Sequence, residues 1–191
     1  MIKTVCIFCG SSSTEGKKSS FKKEHGEMAR NIGRELALRK IKIIYGGANV
    51  GLMGLMADEA LKNNGKVIGV AMKSFKSWGV LHQKISKMYL VDTLQKRKEL
   101  MYKKSDAFIA LPGGIGTIDE VFEVIATNIL TKSTKLLILL NYNKFWDSLI
   151  NLLNTNIKQK YSKKEIKDNI KIASSINEII TILNKEVSKY G

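Results

Sequence analysis

Short apolar runs alternate with segments of helical periodicity along almost the whole chain. The apolar runs are continuous rather than alternating, and six of them stand out: TVCIFC (4–9), KIIY (42–45), KVIGVA (66–71), MYLV (88–91), DAFIA (106–110) and LLILL (136–140). Strands that are apolar on both faces are typical of a parallel sheet covered by helices on both sides. The pattern predicts an α/β fold: a Rossmann-like, doubly wound parallel sheet with helices on both faces.

The segments between these runs predict the helices. Apolar residues recur at helical spacing after the first strand and in 52–63, and further helices are predicted from about Leu94 and Thr117. Near the C-terminus, 145–153 reads as a helix, 158–171 as a charged connection and 176–183 as a closing helix. Because 191 residues fit one domain and no Pro- or Gly-rich linker occurs, we expect a single domain over 1–191.

Composition limits the partners of the chain. Lysine and arginine total 32 against 17 acidic residues, a formal charge of +15, which could indicate nucleic-acid binding. Only four of the 32 are arginines, however, and the lysines are spread along outward helix faces, so we interpret the charge as a compositional habit. The apolar runs are too short to span a bilayer, and the first residues lead straight into a strand. We therefore expect a cytoplasmic protein with neither a membrane nor a nucleic-acid partner.

The two cysteines have the spacing CxxC, which elsewhere indicates zinc or redox chemistry. Here Cys6 and Cys9 lie within a predicted strand, where residues three apart point to opposite faces. We expect two buried thiols that do not meet.

Glycine-rich or polar turns follow four of the strands, and the carboxyl ends of the strands are where such sheets bind ligands. The four turns are 10–13, 46–51, 92–93 and 112–117. Any one of them alone is best explained as a tight bend. Four turns at one edge, three with glycines that admit a ligand and free N–H groups that favour an anion, predict a nucleotide-sized pocket.

The familiar nucleotide motifs are absent from these turns. No GxxxxGK[ST] string occurs, and the turn after the first strand reads CGSSSTEG rather than GxGxxG. Kinase-like and dehydrogenase-like functions are therefore disfavoured.

Glu120 is an unusual residue to find beside a phosphate loop. One interpretation is a capping box from Thr117 to Glu120; the other is an acid that returns to the mouth of the pocket one helical turn later. Asp119 points about 100° away on a helix, whereas Glu123 shares the face of Glu120.

Arg97 poses a similar choice. As the one arginine in LQKRKELMYKK it is either part of a solvated helix face or an anion-binding fork, with Lys98 as the second candidate. His25 and His82 lack partners at ligand spacing and are interpreted as incidental.

Four strings together resemble one family. CGSSS (9–13), YGGANVGLMG (45–54), RKELM (97–101) and LPGGIGTIDE (111–120) are similar to the Lonely Guy family of cytokinin riboside 5′-monophosphate phosphoribohydrolases, long labelled possible lysine decarboxylases. The resemblance implies hydrolysis of the N-glycosidic bond of a nucleoside 5′-monophosphate, to free base and ribose 5-phosphate, without a metal or cofactor. It also implies a homodimer, for which we take 122–130 as the candidate contact.

The resemblance also assigns roles to individual positions. It implies that Arg97 and Glu120 are catalytic. The positions expected to bind substrate are Ser12, Gly46, Gly47, Lys98, Gly113, Gly114, Gly116 and Thr117. Apart from the resemblance, the segment 73–83 with Trp78 and Gly79 is interpreted either as a mobile loop that covers the pocket or as a segment held by aromatic packing.

The chain departs from the family pattern at 94–96, where Lys96 replaces an acidic residue beside the arginine, and at 126–129, which we expect to line the base pocket or a subunit interface. An alternative function remains open, because molybdenum-cofactor carriers and DNA-processing proteins share this sheet and bind phosphates without hydrolysis. A carboxylate beside the phosphate, paired with Arg97, distinguishes the enzyme from a carrier.

Overall fold

A computed structural model describes residues 2–11 and 23–188 of the chain. The strands in this part are β1 (Thr4–Phe8), β2 (Lys42–Tyr45), β3 (Val67–Met72), β4 (Lys87–Val91), β5 (Ala107–Ala110), β6 (Leu136–Leu140) and β7 (Ile170–Ala173). The α-helices are α1 (Lys23–Leu38), α2 (Gly51–Lys62), α3 (Leu94–Lys104), α4 (Ile115–Thr131), α5 (Asp147–Lys158) and α6 (Ile176–Ser188).

The strands form one parallel sheet in the order β4-β3-β2-β1-β5-β6-β7. At its centre Cys6 of β1 pairs with Ile44 of β2 on one side and with Phe108 of β5 on the other. The chain therefore winds outward in one direction from β1 to β4 and in the other from β5 to β7. The point between β1 and β5 is where such a sheet opens a ligand crevice at its carboxyl edge. This arrangement confirms the predicted fold class.

Helices cover both faces of the sheet, and each face has its own apolar core. Val5 and Ile7 of β1 pack into the core that includes residues of α1, α2 and α6. Cys6 and Phe8 point the other way, into the core that includes residues of α3, α4 and α5. Burial of each such side chain stabilises the fold by about 1.5–3 kcal/mol. Both free thiols are buried, and Cys9 lies in the opposite core to Cys6, as expected.

Two details of the sequence interpretation were wrong. The segment 158–171, expected to be a connection, leads into β7, a short edge strand whose IKIA sequence alternates and is only partly buried. Its signal was weak because an edge strand needs only one apolar face. Helix α4 begins at Ile115 rather than Thr117, because Gly114 is its N-cap. The expectation of one domain stays a prediction, which the single sheet supports.

No helix in the described ranges, 2–11 and 23–188, is long and apolar enough to cross a membrane.

Helix α1 approaches α2 very closely at Gly33, where a Cβ atom would collide with the carbonyl oxygen of Met56. We expect Gly33→Ala to lower the free energy of unfolding by about 1–3 kcal/mol, because the clash outweighs the gain of roughly 1 kcal/mol in helix propensity. Urea denaturation measures the change. Arg30→Ala, at an exposed position of the same helix, is the control and should stay within about 0.5 kcal/mol of the wild type. A Gly33→Ala protein as stable as the control would contradict the close packing.

Candidate active site

Backbone hydrogen bonds tie three turns together at the carboxyl edge of the sheet. The N–H of Gly10, just after β1, donates to the carbonyl of Pro112 after β5 at 3.1 Å. The carbonyl of Gly10 in turn accepts from the N–H of Leu52, in the first turn of α2, at 3.1 Å. The predicted convergence of the glycine turns is therefore present, and we call the space beside them the crevice. Ser12, expected to bind substrate, lies outside the described residues.

Arg97 lies at the base of the crevice rather than on a solvated helix face. The residue is only 9% exposed. Its Nε–H donates to the carbonyl oxygen of Val70 at 2.9 Å, and its Nη1 donates to Oε1 of Glu120 at 3.0 Å. Strand β2 ends at Tyr45, which pairs with Gly69, so Val70 is the first residue of β3 beyond the end of β2. The guanidinium thus fills the space that β2 leaves free.

Gly46 also lies against this guanidinium, in addition to Val70 and Glu120. A Cβ atom at Gly46 would stand 2.6 Å from Nη2 of Arg97, well inside van der Waals contact. The position therefore requires glycine for a steric reason that the sequence alone did not reveal. Gly47, next in the chain, takes a φ of +81°, which explains the second glycine.

Glu120 faces Arg97 across the gap between α3 and α4. Each of the two side chains is 11% exposed, so the ion pair is largely removed from water. Burial raises the pKa of the Glu120 carboxyl, and the positive charge and hydrogen bond of Arg97 act against that rise. Arg97 thus favours the ionised form of this carboxyl against the effect of burial.

The capping-box interpretation of Glu120 is wrong. The N-cap of α4 is Gly114, and the N–H of Thr117 already donates to the Gly114 carbonyl at 3.0 Å. Thr117 is therefore inside the first helical turn, and its side chain is buried. The carboxylate of Glu120 is bound to Arg97.

The loop that leads into α4 is rich in glycine and leaves open space beside the helix start. A Cβ atom at Gly113 would collide with the side chain of Thr117, whereas Gly114 and Gly116 have no atom within 4 Å of their Cβ positions. The first N–H groups of a helix lack intrahelical acceptors and attract negative charge. Gly114 and Gly116 thus border open space at the start of α4, close to the Arg97–Glu120 pair.

Lys98 is held by two carboxylates beside this pair. Its Nζ lies 3.1 Å from Oδ1 of Asp119 and 3.0 Å from Oε2 of Glu123. Lys98, Glu120 and Glu123 are the charged residues that line a cavity of about 10 Å³, the size of one water molecule. Its other lining residues are Phe8, Met101, Tyr102, Phe108 and Val124. Lys98 is therefore already paired with two carboxylates, although it was expected to bind the phosphate.

The loop after β3 is fixed onto the β2–α2 turn. The N–H of Asn49 donates to the carbonyl of Val80 at 2.7 Å, and the N–H of His82 donates to the carbonyl of Gly47 at 2.9 Å. This arrangement agrees with a loop that covers the edge of the crevice.

His82 is not incidental, contrary to the sequence interpretation. Its ring is buried, with Nε2 3.1 Å from Oδ1 of Asp58 and Nδ1 accepting from the N–H of Lys84 at 3.1 Å. The ring therefore fixes the covering loop to α2. Its partner lies 24 residues away in sequence, so no local spacing could have indicated it.

Within the segment 126–129, expected to line the base pocket or a subunit interface, Asn128 instead forms hydrogen bonds inside the fold. Its Oδ1 accepts from the hydroxyl of Tyr102 at 2.7 Å, and its Nδ2 donates to the carbonyl of Lys135 at 2.8 Å. The side chain is buried at the far end of α4, two turns beyond Glu120.

Candidate metal ligands do not cluster in the described part of the chain: no three His, Cys, Asp or Glu residues there could hold an ion.

Comparison with solved structures identifies the fold. The molybdenum cofactor binding protein from Rippkaea orientalis superposes with a TM-score of 0.73 at 22% identity, over 98% of each chain. DNA processing protein A from Helicobacter pylori gives 0.62 at 17% identity, over 97% of this chain and 82% of that one. At such identities the likeness concerns the fold alone.

Sequence relatives are closer. A cytokinin riboside 5′-monophosphate phosphoribohydrolase of Rhodococcoides fascians is 39% identical over 152 residues, which cover 79% of this chain and 74% of that protein. One from Arabidopsis thaliana is 33% identical over 186 residues, covering 97% and 84%. The family model described as "Possible lysine decarboxylase" matches residues 53–183. With most of its length matched in both comparisons, the chain belongs to the family of the cytokinin riboside 5′-monophosphate phosphoribohydrolases.

Proposed function

We propose that this protein hydrolyses the N-glycosidic bond of adenosine 5′-monophosphate or an N6-modified form of it, releasing the free base and ribose 5-phosphate. The curated relatives carry the name of this activity. The observation that carries the proposal is the buried Arg97–Glu120 pair, which stands beside an anion-binding helix start.

The bond breaks through an oxocarbenium-like state, with positive charge on the ribose ring and negative charge on the departing base. In the proposed mechanism the carboxylate of Glu120 stabilises that cation and orients the attacking water, whose oxygen bonds to the anomeric carbon. One proton of the water is released as this bond forms, and the departing base gains a proton in its place.

Arg97 has two roles in the proposed mechanism. Its charge opposes the rise in the pKa of Glu120, which keeps the carboxylate available. Its Nε and one Nη1 hydrogen are occupied by Val70 and Glu120, so the remaining N–H groups are left to face negative charge on the base.

The phosphate contacts are also proposed. The loop from Gly113 to Thr117 binds the 5′-phosphate, with the backbone N–H groups of Gly114 and Gly116 as the donors. The N–H of Thr117 is already bonded to the Gly114 carbonyl, so Thr117 closes the loop. Lys98 contributes at the rim. The remaining expected contacts, which enclose the nucleotide, are Ser12, Gly46 and Gly47.

A carrier function is the second candidate, since the solved structures with this fold include molybdenum cofactor binding and carrier proteins. A carrier, however, gains nothing from a buried carboxylate at the phosphate site, where it repels the ligand. The Arg97–Glu120 pair therefore favours the hydrolase.

We also propose a homodimer in which α4 contributes to the contact. Within the expected range, Ile129 and Leu130 are exposed, Leu130 by 83%. Ile115, at the start of the same helix, is 82% exposed. Large apolar side chains exposed along one helix favour burial against a partner. A cytoplasmic location is proposed as well, which the free thiols Cys6 and Cys9 support.

The activity can be tested directly by incubating purified protein with AMP, N6-isopentenyl-AMP, GMP and CMP and separating free base by chromatography. We expect base release from the adenine nucleotides. Adenosine should react at least about tenfold more slowly, because loss of even one charge-assisted hydrogen bond to the phosphate is worth about 1.5–3 kcal/mol. Base release from none of the nucleotides would reject the hydrolase, and equal rates with adenosine would reject the phosphate site.

Glu120→Gln tests the carboxylate. The amide keeps an oxygen for Arg97 but cannot stabilise a cation, so we expect kcat to fall by about 10²–10⁴ while nucleotide affinity changes little. Calorimetry measures the affinity. Glu99→Gln, at an exposed glutamate of α3 that is paired with Lys103, is the matched control and should stay within a few-fold of wild type.

The pH profile gives a second measure of the same group. Because the pKa of Glu120 is raised and the ionised form acts, kcat/KM should decline as the pH falls through a value above the ordinary glutamate range. Full activity of Glu120→Gln, or an unchanged acid limb in that variant, would remove Glu120 from the mechanism.

Gly46→Ala tests the wall behind Arg97. The added methyl group must displace the guanidinium from Glu120. We therefore expect kcat to fall while the thermal stability changes little, and the acid limb of the kcat/KM profile to move to higher pH. Gly79→Ala, on the covering loop, has no atom within 4 Å of its Cβ and serves as the control for backbone strain, since its φ is +64°. Equal kcat values for the two variants would argue against a steric role of Gly46.

A further inference from the structure

Helix α3 carries Arg97 but has few apolar anchors. Of its eleven residues only Arg97 and Met101 are buried. A surface helix is normally held by an apolar stripe along one side. Met101 lies in the core, and Leu100 and Tyr102 pack against it. The remainder of what positions α3 is polar contact with its neighbours.

Contacts between α3 and α4 occur at three levels. Arg97 binds Glu120 near the crevice, and Lys98 lies between Asp119 and Glu123 beside that pair. The third contact is at the far end, where the Tyr102 hydroxyl donates to Oδ1 of Asn128 at 2.7 Å. Tyr102 follows Arg97 by five residues, so this bond fixes the end of α3 that the two ion pairs do not reach.

Lys135, just before β6, completes a closed set of contacts around Tyr102. Its carbonyl accepts from Nδ2 of Asn128 at 2.8 Å, and its Nζ donates to the carbonyl of Tyr102 at 2.8 Å. The ammonium group also lies 4.4 Å from the centre of the Tyr102 ring, which stacks on Phe108 at 5.3 Å. We call Tyr102, Asn128 and Lys135 the clasp.

The clasp joins three elements of the fold. Lys135 supplies a donor to the Tyr102 carbonyl in the last turn of α3, and Tyr102 lines the small cavity that Lys98 and Glu120 also line. The members of the clasp lie on α3, on α4 and at the start of β6, and each makes two or more of the contacts given above. Such a network has one low-energy arrangement, because any displacement leaves a buried polar group unpaired. The clasp therefore fixes the distance between α3 and α4.

We infer that Tyr102 and Asn128 are positioning residues for the hydrolysis, which act by holding Arg97 in register with Glu120. The inference rests on the proposed function for its kinetic readout. Loss of the Tyr102–Asn128 bond lets the C-terminal end of α3 move relative to α4. A displacement of about 1 Å at a catalytic group can lower the rate on the order of a hundredfold.

Tyr102→Phe is the test variant, because it removes only the hydroxyl and keeps the stacked ring. We expect kcat to fall about tenfold to a hundredfold with a change in KM below about twofold. Because Arg97 lowers the pKa of Glu120, a loosened arginine should also move the acid limb of kcat/KM to higher pH. Asn128→Ala should reproduce both effects, and the double variant should be no slower than Asn128→Ala alone.

Asn63→Ala is the matched control, since it also removes side-chain hydrogen bonds of a partly buried asparagine, here to Glu59 at the C-terminus of α2. It should lower thermal stability without moving the acid limb. The inference would be overturned if the Tyr102→Phe protein lost stability like this control but kept the kcat and the acid limb of the wild type. Additive losses in the double variant would overturn it as well.

A measurement without substrate separates this inference from the proposed function. The pKa of Glu120 can be followed by carbon NMR of its carboxyl group, and it should be higher in Tyr102→Phe than in the wild type. If the wild type releases no base but this pKa rises, the proposed function fails and the clasp stands. If base is released but the pKa is unchanged, the clasp fails and the function stands.

Discussion

The arrangement at the carboxyl edge depends on one buried ion pair, Arg97 with Glu120. A buried arginine and glutamate stabilise a fold only when both are hydrogen-bonded. Here Arg97 bonds to Glu120 and to the backbone carbonyl of Val70, and Gly46 leaves room for the guanidinium because it has no side chain. The pair joins α3 to α4 across the point where the sheet reverses its winding. The ends of β2, β3 and β5 are therefore coupled through two side chains.

The charge of the chain matters less for this site than its total suggests. The net charge is +15, yet Lys98, which follows Arg97 in the chain, is paired with Asp119 and Glu123. In the proposed phosphate site the donors are therefore mainly backbone N–H groups at the start of α4. Such groups are fixed in place before any ligand arrives, which favours electrostatic stabilisation without reorganisation.

Much of the fold was readable because its signals are local. Continuous apolar runs predicted six strands of the sheet, and the glycine turns predicted which edge carries the crevice. β7 was missed because a four-residue edge strand with Lys171 in it has almost no pattern. The His82–Asp58 and Tyr102–Asn128 bonds could not be predicted, since each joins residues 24 or more apart in the chain. Local spacing likewise left Glu120 ambiguous between a cap and a catalytic acid, and only the start of α4 at Ile115 decided against the cap.

The hydrogen bond from Arg97 to Val70 limits how far the chain can be truncated without losing the ion pair. The carbonyl that holds the guanidinium belongs to β3, the wall behind it to the end of β2, and the carboxylate to α4, after β5. No contiguous piece shorter than the span from Gly46 to Glu120 contains all of these parts. That span includes β3, β4 and β5 but lacks β1, the strand that joins β2 to β5. The smallest unit that can assemble the pair is thus set by the sheet topology, and it is close to the whole parallel core.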